Sequence, residues 1–147
     1  MTRHTRVIGT TPDAIARAEV ELGRSLPQSF RSWLLANNGL GLDSVSVFPV
    51  LDERDKRKTW DSIVRQNELW RSYCGNVFPG EAARFRHLTP FADFGTGDYY
   101  CFDYENLGEE AEAKVVHWSH ETGATSPRGA SFIAFAQELA EGQYEHD

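Results

Sequence analysis

One change of period decides what this chain can fold into. Two β-runs, Leu88–Phe94 and Tyr99–Tyr104, are joined by Gly95-Thr96-Gly97-Asp98. A glycine-containing link of four residues between two such runs predicts a hairpin. Within the second run Tyr99, Cys101 and Asp103 point one way, and Tyr100, Phe102 and Tyr104 the other. A third run, Lys114–His120, carries Val115, His117 and Ser119 on one face and Val116, Trp118 and His120 on the other.

Before the hairpin the spacing is mostly helical. Thr11-Pro12-Asp13 supplies an N-cap, a first-turn proline and an acid for the positive end of the helix dipole. Ile15, Ala18 and Leu22 then recur on one face, and Gly23 provides a left-handed stop. Leu26-Pro27 opens a second helix bearing Phe30, Trp33, Leu34 and Asn37, which Asn38-Gly39-Leu40-Gly41 ends. Ser44–Val50 reads as a strand, with Pro49 marking an edge or an end. The charged stretch Asp52–Lys58 reads as a solvated loop or first helical turn. A helix over Thr59–Tyr73 follows, striped by Trp60, Ile63, Val64, Asn67 and Trp70 and broken at Gly75–Pro79. Gly80–Phe85 adds a helical turn. Gly123–Gly129 reads as a loop, and Ser131 caps a closing helix with Phe132, Phe135, Ala136 and Leu139 on its buried side. This order predicts one α+β domain over residues 1–147, with loose tails at 1–10 and 143–147. Its helices are expected on one side of a single, mainly antiparallel sheet.

At 147 residues and 40% hydrophobic content, the chain can bury a core without disulfide or metal staples. No apolar run approaches the ~18 residues that span a bilayer, and the first residues lack a signal-peptide stretch. The two cysteines, Cys74 and Cys101, make no disulfide framework. The expectation is a cytoplasmic protein with reduced thiols and no membrane partner.

Charge is unevenly placed. The net charge is −7, which disfavours direct contact with nucleic acid, since that contact needs Lys and Arg to displace counterions. Residues 1–90 hold 13 Lys/Arg against 10 Asp/Glu, whereas residues 91–147 hold two against 12. From Asp93 to Glu112 there are seven acids and no base: Asp93, Asp98, Asp103, Glu105, Glu109, Glu110 and Glu112. A single-sign patch either keeps a protein soluble or steers a partner of opposite charge. Tyr99, Tyr100 and Tyr104 interleave with these acids, and tyrosine supplies contact area at low entropy cost. These ten residues make the candidate partner-binding face for a cationic protein.

Patterns for chemistry are weak. His117 and His120 are three apart, which on a strand sends them to opposite faces rather than to one metal. His-Glu-x-x-His and Gly-x-Ser-x-Gly are absent, and Gly95-Thr96-Gly97-Asp98 lacks the Lys-Ser/Thr of a phosphate loop. Neither a catalytic residue, a metal site nor a cofactor is expected.

The segment Leu26-Pro27-Gln28-Ser29-Phe30-Arg31-Ser32-Trp33-Leu34-Leu35-Ala36-Asn37-Asn38-Gly39 resembles the Leu-Pro…aromatic…Leu…Asn-Gly signature of the SUKH superfamily. That group includes the yeast cell-wall assembly regulator and many bacterial relatives. Phe91–Asp103 resembles its glycine–aspartate hairpin, Val115–Glu121 its following strand and Ser131–Leu139 its closing helix. The likeness runs from about Thr11 to Leu139. It implies an α+β fold with one sheet flanked by helices. It also implies a non-enzymatic immunity protein that binds and neutralises a cognate polymorphic toxin domain, a basic nuclease being the partner an acidic surface suits. A regulatory or scaffolding adaptor of the same fold is the alternative. A monomer or weak homodimer is expected. The segment 52–73 has no counterpart in the signature.

Overall fold

The computed structural model describes residues 9–42, 45–93, 95–107 and 112–141. Among them are six helices and five strands. Helix α1 (Pro12–Leu22) begins as its sequence dictates: the Thr11 hydroxyl accepts from the Ala14 amide at 3.2 Å. It stops at Gly23, whose φ of 77° suits a residue without Cβ. Helix α2 (Gln28–Asn37) follows Pro27, which offers no capping side chain. Beyond it, buried Asn38 pairs with the Val50 backbone in both directions, at 2.8 and 3.0 Å. The Asn-Gly of the resemblance thus ties the end of α2 to the chain after strand β1 (Ser46–Val47).

Strand β1 is shorter than the expected Ser44–Val50 because Pro49, with no N–H, ends the ladder just after the Phe48 amide bonds Phe91 O at 2.8 Å. The charged stretch 52–58 is not a plain solvated loop. It forms a 3₁₀ turn (Glu53–Asp55) and helix α3 (Lys56–Thr59) around buried Asp52. Asp52 accepts from Thr10 Oγ1 at 2.8 Å and from the Arg54 guanidinium at 2.7 Å. The Arg54 bond, opposed by burial, holds its carboxyl far below the usual range.

Helix α4 spans Ile63–Val77, later at both ends than the expected Thr59–Tyr73. Ser62 caps it, and Trp60 is left outside at 57% exposure. Gly75 does not break it, because its exposed position asks only the ~1 kcal/mol that glycine forfeits in a helix. The stop comes at Phe78, which Pro79 drives out of helical conformation. Helix α5 (Ala82–Phe85) leads into strand β2 (Leu88–Asp93).

The sheet is antiparallel throughout, in the order β1-β2-β3-β4-β5, where β3 is Tyr99–Leu107, β4 Ala113–Trp118 and β5 Thr125–Gly129. Strand β5 replaces the expected loop. Its Thr-Ser-Pro-Arg-Gly sequence has no apolar alternation, yet an edge strand facing solvent needs none and tolerates proline. A bulge between Pro90 and Ala92 sends both Phe91 and Ala92 to the same side.

Helices cover both faces of the sheet, not one. On the first, Phe30 of α2 and Phe132 and Phe135 of α6 (Phe132–Ala140) meet Phe91, Tyr100 and Phe102. The Phe91 and Phe102 rings stack 4.2 Å apart. On the second, Trp70 and Cys74 of α4 and Phe85 of α5 cover Leu88, Cys101, Val116 and Trp118. The alternation of β3 and β4 explains this, since both of their faces carry apolar side chains. No helix among the described residues is long and apolar enough to cross a membrane.

Candidate functional site

The turn between β2 and β3 is built by its own polar side chains. Asp93 Oδ1 accepts from the Gly95 amide at 3.2 Å, and Thr96 Oγ1 from the Asp98 amide at 3.3 Å. At Gly97, with φ of 97°, an added Cβ would sit 3.2 Å from the His120 ring. Glycine therefore lets this turn close against the neighbouring one, which joins β4 to β5.

Asp98 locks the two turns together. Its Oδ2 lies 2.7 Å from His117 Nε2, while its Oδ1 accepts from the His120 amide at 2.9 Å and meets His120 Nδ1 at 2.5 Å. The Arg128 guanidinium of β5 lies 3.3 Å from His117 Nδ1. A guanidinium only donates, so that nitrogen accepts and the ring proton sits on Nε2, toward Asp98. Burial pushes the Asp98 carboxyl up, but the His120 amide and the two rings outweigh it and leave its pKa below the ordinary value.

The strand argument that parted His117 from His120 fails here because β4 ends at Trp118. The tight turn closed by the Gly123 amide on Ser119 O at 2.8 Å then folds His120 back over Asp98. Among the described residues no cluster of three His, Cys, Asp or Glu side chains has the makings of a metal site. Both cysteines are buried, and burial pushes the Cys74 thiol up to about 11 and Cys101 well above its ordinary value. At neutral pH neither is a ready nucleophile.

The other expected binding residues are dispersed. Asp93 is half-buried, and burial raises its pKa. Tyr99 packs between Phe48 and Trp118. Tyr100 is 1% exposed, its ring 4.7 Å from that of Phe135, so it belongs to the core. Asp103 is 7% exposed and accepts from the Glu105 amide at 3.0 Å. Tyr104 donates to Ser25 O at 2.8 Å beneath the Arg24 guanidinium, and burial raises its pKa. The Glu105 side chain is 72% exposed, 3.6 Å from His87. Glu112 reaches α2, where its carboxylate takes the Ser29 amide at 3.1 Å and the Ser29 hydroxyl at 2.5 Å. It thereby supplies the N-terminal acceptor that Pro27 lacks. Glu109 and Glu110 lie outside the described residues.

Sequence reasoning named Asp98 but missed its partners, because their meeting depends on how two turns dock. The one signal was His117-Trp118-Ser119-His120 just before Gly123, where a turn brings imidazoles back over the strand end.

No curated protein matches the sequence. The profile of the SMI1 / KNR4 family (SUKH-1) matches residues 9–138, which takes in every element from α1 into α6. With the antiparallel sheet, its helical cover and the Asn38–Val50 clasp in place, the chain belongs to the SMI1 / KNR4 family (SUKH-1).

Proposed function

We propose that this protein is a non-enzymatic immunity protein that binds a cognate toxin domain and neutralises it, the toxin being a basic nuclease. Family membership supports a toxin-immunity or regulatory role. The observation that carries the finer reading is the charge asymmetry. Residues 91–147 hold 12 acids and two bases, and Glu105, 72% exposed with His87 3.6 Å away, presents most of its carboxylate to a cationic surface. In this reading Glu105, Glu109 and Glu110 steer the partner, while Asp93 holds its turn through the Gly95 amide. Asp98 holds the two turns in shape, Tyr99 and Tyr104 give contact area at their exposed edges, and Asp103, Tyr100 and Glu112 support from within.

The test is association with the product of the neighbouring gene, followed at low and moderate salt. A tight complex whose formation slows as salt rises, and slows further in a Glu105→Lys/Glu109→Lys/Glu110→Lys variant, is expected. A complex indifferent to salt and to these changes removes the acidic surface from the interface, and absence of any complex overturns the immunity reading. A regulatory adaptor is the second reading. It is favoured by Leu69, Tyr73 and Val77, an exposed apolar row at four-residue spacing on α4.

A further inference from the structure

A second feature lies away from the acidic residues. Helices α1 and α4 flank a cleft of about 590 Å³, within the range of ~300–1,000 Å³ typical of ligand sites. Its floor is Ala14, Ala18 and Val64. The two alanines are only 8% and 5% exposed, so half-buried Val64 and the rim residue Leu51 supply the accessible apolar surface. Leu51 stands at its rim, 46% exposed. Beside Arg65 of the cleft wall stands Trp60, also exposed, with the guanidinium 4.6 Å above the ring. Tryptophan and arginine side by side are the commonest strong anchors of protein interfaces.

The charges around the cleft say what fits it. Arg65 is engaged by Asp61 at 3.3 Å, and Glu53 by Lys56 at 3.4 Å. Glu21 of α1 and Glu68 of α4 face the cleft from opposite walls, and among the described residues neither has an ion-pair partner. Among the described residues Arg17 is the one cation of the wall not so engaged. Two free carboxylates against one free guanidinium favour a cation over an anion.

We infer that the α1–α4 cleft is a docking groove for an amphipathic helix of a partner protein, which lays apolar side chains on Val64 and Leu51 and places a lysine or arginine between Glu21 and Glu68. A helix entering the groove between two others is a recurrent recognition mode. The groove stands independently of the toxin reading, because none of its residues is among the acids of the 91–147 half.

The test uses the full chain, isotope-labelled, and two synthetic amphipathic helical peptides of about 14 residues, or four turns. Their leucine–alanine faces are identical, and their two flanking positions carry Lys in one peptide and Glu in the other. The Lys peptide is expected to shift the amide resonances of α1 and of residues 63–68 and to bind about tenfold tighter than the Glu peptide, as two rim ion pairs exchanged for two repulsions allow. In a Glu21→Lys/Glu68→Lys variant, whose changes are on exposed positions and spare the core, the preference should reverse. Equal binding of both peptides, shifts confined to other surfaces, an unreversed preference in the variant, or no binding at millimolar peptide each overturns the inference. None of these outcomes bears on whether a toxin is bound through the acidic half.

Discussion

The two ends of β3 carry the same kind of residue and use it oppositely. Before the strand, Asp98 is 18% exposed in its side chain and saturated by His117, His120 and the His120 amide. Seven residues on, a distance of about 23 Å along a strand, Glu105 is 72% exposed and has His87 beside it at 3.6 Å. The lesson is that a run of acids in a sequence is not an acidic surface. A carboxylate saturated by donors inside the fold is spent on structure, and one left mostly to water remains for a partner. Glu112 makes the same point from the far side of the β3–β4 connection, since it is anchored to Ser29 of α2.

Deletion at the locked end should give the largest effect. Asp98→Ala leaves two imidazoles and the His120 amide without their acceptor, and unfolding by urea should show a loss of about 2–3 kcal/mol. A loss below about 1 kcal/mol would mean the turns dock without it. Glu112→Ala is expected to cost about 1 kcal/mol in the same measurement, the usual worth of a helix N-terminal acceptor. Should it prove neutral, Glu112 rejoins the acids free to bind.

Acid titration sharpens the contrast within the turn itself. The folded-state pKa of Asp98 lies below its ordinary value of about 3.9, so its support is present above that pH and lost as pH falls through the lowered value. The folded-state pKa of Asp93 is raised, chiefly by burial, so its protonated form supports the fold fully below about pH 3.9 and that support is lost as pH rises through the raised value. Asp98→Asn should therefore approach the parent in stability as acid is added, whereas Asp93→Asn should gain on the parent as pH rises from about 3 to 6. Parallel profiles would erase the distinction between the two carboxylates. The smallest stability effect belongs to the free end: Glu105→Lys should leave unfolding within about 0.5 kcal/mol of the parent while slowing association with a basic partner. A large loss of stability there would place Glu105 with the structural acids.

Local rules were enough wherever a few adjacent residues settle the matter. Thr11, Pro12 and Gly23 set the limits of α1, and Gly95-Thr96-Gly97-Asp98 set the hairpin, because caps and turns act within four residues. They fell short where a distant contact outweighs propensity. Gly75 stayed helical because Trp70 and Cys74 hold α4 against the sheet. Strand β5 formed because β4 offered it a ladder, not because Thr125–Gly129 prefers to be extended. Tyr100 and Tyr104 read alike as neighbours of acids, yet one ring is sealed among phenylalanines and the other lies under Arg24.

The linear order of residues thus settled the class of fold, the hairpin at its centre and the uneven charge, since these depend on spacing and count. The assembled structure alone decided that helices cover both faces of the sheet, that Asp98 gathers two histidines, and that Glu112 serves α2 across 83 residues. Periodicity tells which way a side chain points, but which donor waits there is fixed only when separate elements pack, and that meeting determines whether a charge stays in water.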